Sequence, residues 1–492
     1  MSTTQSTATH HDADRTGDPA ALDRLIRLML VNLGLGLLVA ALTLLLHGAI
    51  VDHQAAHSTR SRAALSTDLW SRPGPAVAVA ILYPLFIRRL RQRSQRGWRR
   101  TVIVAVAQLL SLGWFAIGAH YPVWLSALMG LQAVVVLAVL RAATRPAVRR
   151  LFAFPAPTAA SRTAHRAAWL LVVLAPLVAE LSWGSTRASQ IAGLTLYWPA
   201  YAGGALLVRE VVRRTGGGWA SILALGVGYG LLEEGLALQS LTSPSIFPDM
   251  AALTPRPWGI DVGYAVMVLT YHAVISIAVP IRLAELVVPS AAHRPWLARP
   301  TLVVTGVVAV LGLGLLRLIP LSADPDYLLP WPAYPVLAVL VVLLVGLALV
   351  APRPAARTTG ALPSPGVVGG LAGLAALVFL GLLMPLPGVH HAAWTPSGDA
   401  SWVAVVASLV VLAGAAVLGR RWTARTGWTD LHATAAVAGV LVAHTVIGWL
   451  SLVHTALDRT ALGVVGLVEV VLLALLIRRV GGAADRGSPP AR

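Results

Sequence analysis

The chain has 492 residues, 57% hydrophobic and 12% charged, with a mean hydropathy of +0.74. A soluble domain carries about 25% charged residues, so this composition excludes one and demands a lipid environment. The net charge of +18 comes from arginine alone, since no lysine occurs, and the apolar excess excludes a soluble nucleic-acid binder as its reason. No cysteine is present, which excludes disulfides, thiolate metal sites and cysteine nucleophiles.

A bilayer core about 30 Å thick takes roughly 17 to 25 apolar residues per helix. Fourteen stretches meet that length, so the expected fold is an all-α, polytopic integral membrane protein. Residues 1–24 are polar and read as a disordered cytoplasmic tail. A first membrane segment, 25–140, holds the stretches Leu28–Ile50, Gly74–Leu90, Thr101–Ala119 and Val123–Leu140. The first is longer than a signal-peptide core and no small-x-small cleavage pattern follows it, so it reads as an uncleaved anchor. A basic cytoplasmic loop, 141–166, separates these from a four-helix segment, 167–289, with Ala167–Trp183, Ile191–Val208, Trp219–Leu241 and Val262–Ile281. A six-helix segment, 300–478, follows with Thr301–Leu318, Ala333–Val350, Gly366–Met384, Ser401–Leu418, His432–Leu452 and Ala461–Ile477. Residues 479–492 read as a second disordered cytoplasmic tail.

Arginine supports this map, because short cytoplasmic loops retain positive charge. With fourteen passes, 31 of the 38 arginines fall on one side and 7 on the other. Both termini are therefore expected in the cytoplasm, with the chain in the cell membrane. Trp183, Trp219, Trp258, Trp331 and Trp402 lie at span ends, where an interfacial aromatic belt accounts for them.

Ionisable groups inside a bilayer are costly and mark candidate sites. Glu233, Glu234, His272, His444 and Glu469 lie within expected spans, and Glu180 lies about one turn from the outer end of its own. Glu210, Glu285 and Arg282 lie at cytoplasmic ends and read as solvated. At about 1.5 Å per residue, Glu233 and Glu234 sit roughly 10 to 12 Å below the outer surface and His272 roughly 15 Å, depths compatible with contact. On a helix, Gly226, Gly230 and Glu234 share one face, where small residues admit a close partner helix. Glu233 lies about 100° away, toward Tyr229, Ala237 and Ser240, and is expected to have different partners.

Two adjacent acids in low dielectric need a cation, a metal or a proton, and a Glu and a His on consecutive helices suit a metal site or a proton relay. In the last hairpin His444 and Glu469 are each about 12 Å deep and are expected to meet. His454 and Asp458, and likewise His390, His391 and Asp399, fall in outer loops and read as solvated. No phosphate-binding loop, zincin helix, nucleophile elbow or dinucleotide fingerprint occurs.

Over about residues 180–289, the Glu233-Glu234 pair in a glycine-rich helix, followed by His272 in the next, resembles the CPBP intramembrane metalloproteases, a family of CAAX-processing and abortive-infection proteins. That family's first motif is Glu-Glu-x-x-x-Arg, with Leu238 here at the Arg position. Its second is Phe-x-x-x-His, with Val268 at the Phe position before His272, and the letters of its third, His-x-x-x-Asn/Asp, recur only at His454 and Asp458. The resemblance implies that Glu233 or Glu234 activates a water, that Glu234 and His272 hold one divalent metal such as zinc, and that His272 otherwise serves an oxyanion site.

Three function classes stay open. The first is a metal-assisted intramembrane hydrolase, implied by the resemblance. Buried acids and Gly- and Pro-interrupted spans suit a proton-coupled transporter or flippase. A lipid-carrier glycosyltransferase would use Asp52 and Asp68 after the first span. The lipid bilayer is the expected partner in each case, and nucleic acid in none.

Overall fold

The first helix opens where local chemistry sets it: Asp18 accepts the Ala20 N–H at 2.9 Å, and Pro19, which has no N–H to satisfy, takes the first turn. The computed structural model describes residues 18–57, 73–116, 121–152, 158–245, 256–324, 327–350, 357–384 and 398–487, with positions 62, 65, 66 and 69. Among the described residues there is no β-strand. The chain forms two compact units, Met1–Thr158 and Ala159–Arg492.

The first unit comprises α1 (Pro19–Leu45), α2 (His47–Ala56), α3 (Pro73–Arg91), α4 (Gln95–Ala116), α5 (Val123–Thr144) and α6 (Pro146–Leu151). α1 starts inside the stretch expected to be a loose tail, because Ala21 and Leu22 are buried and hold it down. The expected 141–166 loop is mostly helical: α5 runs to Thr144, α6 follows, and the next helix begins at Ala159. Leu25, Met29, Leu90, Leu125 and Val136 pack the core. A polar clamp crosses it, with Asn32 Nδ2 donating to Tyr83 Oη at 2.6 Å and to Gln108 Oε1 at 2.8 Å. Such bonds hold helices together where lipid supplies no hydrophobic drive.

The second unit comprises α7 (Ala159–Leu181), α8 (Ala188–Thr215), α9 (Trp219–Ala237), α10 (Pro257–Val287), α11 (Arg299–Leu316), α12 (Ala333–Val350), α13 (Pro365–Leu383), α14 (Ser401–Thr423), α15 (Asp430–Ser451) and α16 (Ala456–Gly487). α16 continues through part of the expected C-terminal tail. Outer faces are apolar and exposed, as at Val342 and Val350 of α12, which suits contact with acyl chains. Backbones meet closely at glycine. A Cβ on Gly226 of α9 would lie 2.7 Å from Ala273 Cα of α10, and one on Gly439 of α15 would lie 2.0 Å from Gly369 O of α13. Only a residue without a side chain fits at these crossings.

Twelve of the described helices are long and apolar enough to cross a bilayer. The second and third expected spans coincide with α3 and α4, which form as helices of 19 and 22 residues but carry dense arginine at their shared end.

Candidate functional site

The α9 face expected to admit a partner does so, and the partner is α10. Next to Gly226 on Ala273, a Cβ on Gly230 would lie 3.1 Å from His272 Cβ, and one turn on Glu234 Oε1 lies 2.9 Å from His272 Nε2. Glu234 Oε2 accepts from Tyr264 Oη at 2.9 Å and from Ser240 Oγ, so three groups hold this buried carboxylate.

Glu233 corrects the expectation of different partners. Its Oε2 lies 3.5 Å from His272 Nδ1, so both carboxylates face one imidazole. The cause is local: Leu231–Ala237 is a π-helical turn, closed by Leu238 N–H to Glu233 O at 2.7 Å, and it does not follow the 100° step of an α-helix. Ser240 accordingly binds Glu234, whereas Tyr229, as expected, approaches Glu233. His272 opens a second π turn, His272–Ala278, and Glu180 sits in a third, Leu177–Leu181. π turns recur at functional sites because they re-aim side chains at a cost to helix regularity.

The site is short of hydrogen bonds. Both Glu233 oxygens, His272 Nδ1, Tyr229 Oη and Ser276 Oγ are buried without a hydrogen-bond partner. Buried polar groups are almost always satisfied, so these five orphan atoms, one of them on the His272 ring, call for an explanation. One carboxylate oxygen from each glutamate and one nitrogen of His272 lie within 4.8 Å of one another.

Glu180 is less peripheral than its position near a span end suggests. It is buried and accepts from Ser185 Oγ at 2.7 Å, Thr186 Oγ1 at 3.0 Å and Tyr201 Oη at 2.8 Å. The Tyr201 ring lies 6.1 Å from that of His272, and the rings of Tyr229 and Tyr271 lie 5.7 and 5.8 Å from it. Sequence reasoning passed over Tyr201, Tyr264 and Tyr271. The available signal was position, since five of the nine tyrosines fall between Tyr197 and Tyr271.

The expected His444–Glu469 contact does not form. His444 Nε2 lies 3.1 Å from Tyr271 Oη and its ring stacks on Trp183 at 4.7 Å, while Thr445 Oγ1 donates to Glu469 at 3.2 Å. α16 faces the Thr445 side of α15, one residue and about 100° away from His444. Asp458 is buried rather than solvated, accepting from Ser189 N at 3.0 Å and Thr455 Oγ1 at 2.7 Å, whereas His454 is exposed. Asp52 is exposed and paired with Arg62. Asp68, His390 and His391 lie outside the described residues.

Glu210 and Glu285, expected to be solvated, are buried in a network. Glu210 meets Arg209 and Arg214, and Glu285 meets Arg209 at 3.1 Å and Arg213 at 2.8 Å. The cause is the segment after α10, whose Trp296 and Leu297 N–H groups donate to Glu210 at 2.7 and 3.2 Å and cover it. Arg282 is partly buried and pairs with Asp430 at 2.6 Å.

A family model described as an uncharacterized membrane protein family matches residues 169–484. The chain belongs to that family. The matched residues include every member of the Glu233–Glu234–His272 cluster and reach from Glu180 to Glu469. No curated protein and no solved structure matches the chain. The chain is thus a multi-pass, all-helical membrane protein with a buried cluster of two glutamates and a histidine.

Proposed function

We propose that the chain is a metal-assisted intramembrane hydrolase centred on Glu233, Glu234 and His272. The observation that carries this reading is the pair of Glu233 oxygens and the His272 nitrogen left without hydrogen bonds, in a group of three ligand-type side chains whose ligand atoms lie within 4.8 Å of one another. Two carboxylates and one imidazole suit a divalent cation such as zinc, and three protein ligands leave a position for water. The present spread of up to 4.8 Å exceeds the roughly 3.4 Å expected between ligands at ~2.1 Å in a tetrahedral site. Glu233, whose contact with His272 Nδ1 at 3.5 Å is longer than the 2.9 Å of Glu234 with Nε2, is the more loosely held carboxylate and the one placed to close that gap.

A cation held there would polarise a carbonyl or make a bound water acidic. The protein's own groups divide the remaining work. Glu234, locked by Ser240 and Tyr264, is the fixed ligand. Glu233 is the group available to take a proton from water. The resemblance to the CPBP metalloproteases in Glu233-Glu234 and His272 supports the same reading, with Leu238 and Val268 departing from the two motifs. Purified protein is expected to carry about one divalent ion per chain by elemental mass spectrometry. Metal-free protein with native helicity would sink the hydrolase.

One observation favours proton-coupled transport as the second reading. Both nitrogens of His272 face carboxylates, an arrangement that a proton on each nitrogen satisfies without metal.

The topology proposed with either reading has fourteen spans and both termini in the cytoplasm of a cell-membrane protein. It is supported by the arginine asymmetry and by helices at α3 and α4. The chain has no cysteine, so single cysteines report cleanly. In intact cells an impermeant maleimide should label Trp258→Cys, at an exposed position, and spare Ser94→Cys in the α3–α4 turn. Outside labelling of Ser94→Cys would mean that α3 and α4 do not cross.

A further inference from the structure

In the second unit several arginines are neutralised by the protein itself. Arg209, Arg213 and Arg214 meet Glu210 and Glu285, and Arg282 meets Asp430. The first unit contrasts with this. No aspartate or glutamate occurs between Asp68 and Glu180, and seven arginines from Arg88 to Arg100 fall where α3 turns into α4. All seven are exposed. Among the described residues none of them has a carboxylate partner, and of the unit's acids Asp18 pairs with Arg24 and Asp52 with Arg62.

The fold crowds these charges. Ser94 N donates to Arg89 O at 3.0 Å, Arg93 takes a left-handed φ of 52°, and a Cβ on Gly97 would lie 2.6 Å from Arg89 Cβ. The start of α4 therefore lies against the end of α3. Trp98 Nε1 donates to Ala143 O and Gln95 Nε2 to Phe152 O, both at 2.9 Å, which draws in the segment carrying exposed Arg141 and Arg145. Like charges held together without acids attract anions from outside the chain. Leu82 and Leu85 of α3 and Ile103 of α4 are exposed on the same two helices, so the charged turn continues into an apolar, lipid-facing surface.

We infer that the α3–α4 turn is a binding site for anionic phospholipid, with headgroup phosphate among the arginines and acyl chains along Leu85 and Ile103. The arginine fork matches phosphate oxygens in pairs, and clustered basic residues beside a membrane helix attract anionic lipid. The apolar face is what selects a lipid over free phosphate.

Native mass spectrometry of the purified full chain, in micelles doped equally with phosphatidylglycerol and phosphatidylcholine, tests this. Wild type should retain the anionic lipid about tenfold over the zwitterionic one. The combined Arg93→Gln, Arg96→Gln, Arg99→Gln and Arg100→Gln variant should fall toward parity, and an Arg420→Gln, Arg421→Gln control at other exposed arginines should not. Rising ionic strength should release the lipid from wild type, a readout that needs no variant. Parity in wild type, full retention by the quadruple variant, or salt-independent retention overturns the inference. Displacement by inorganic phosphate at equal concentration also overturns it, in favour of a free-anion site.

Discussion

Replacing Arg209 with alanine is expected to destabilise the protein by roughly 3 to 5 kcal/mol, the range seen when one partner of a buried ion pair is removed. Arg209 is fully buried. Its Nε donates to Glu285 at 3.1 Å, Nη1 to Glu210 at 3.1 Å and to Arg294 O at 3.2 Å, and Nη2 to Ala291 O and Ala292 O at 3.2 and 2.8 Å. The guanidinium also lies 3.2 Å from the ring centroid of Trp296. Truncation leaves two carboxylates short of countercharge, takes the Arg209 donors from the Ala292 and Arg294 carbonyls while Ala291 O keeps Trp296 Nε1, and unpins the segment that covers Glu210. A lowered denaturation temperature in detergent checks this. Arg209→Lys should recover only part of the loss, because an ammonium keeps the charge but cannot reproduce the planar fork. An alanine variant as stable as wild type would show that the network holds nothing together.

What the sequence could say about this region, and what it could not, follows from the physics. Long apolar runs announce helices, because the backbone has no other way to satisfy itself in lipid. The face formed by Gly226, Gly230 and Glu234 was readable for the same kind of reason: three small or functional residues at helical spacing, with a histidine on the next helix. The π turn at Leu231–Ala237 was not readable, since an i→i+5 bond leaves no mark in residue type, and with the second π turn that His272 opens it brings Glu233 to His272. Glu210 and Glu285 were misread because charges at a span end resemble a solvated rim. The return of the chain at Ala291–Leu297 covers Glu210, and Arg209, which that segment also binds, carries the network to Glu285; both are tertiary events. The last hairpin failed at one residue: depth placed His444 and Glu469 level, but not on facing sides.

Burial alone therefore does not separate the acid proposed as a ligand from the structural one, because Glu210 and Glu234 are both buried. Their partners separate them. Glu210 receives two arginines and two backbone N–H groups, a saturated set whose loss is structural. Glu210→Gln is expected to cost about 3 kcal/mol, by weakening two ion pairs at a site closed to water, and to leave metal content unchanged. Glu234→Gln should do the reverse. Glutamine can still accept from Tyr264 and Ser240 with its carbonyl, and its amide can face His272 Nε2, so stability should stay within about 1 kcal/mol of wild type. A neutral amide is a far poorer ligand for a hard divalent cation, so metal should be lost by at least about tenfold in affinity. Thermal denaturation and elemental mass spectrometry on the two variants read these effects independently. If Glu234→Gln retains its metal, the cation lies elsewhere and the cluster of orphaned atoms around His272 is a proton site. If instead both variants lose stability equally and neither loses metal, Glu234 belongs with Glu210 among the groups that hold the helices together.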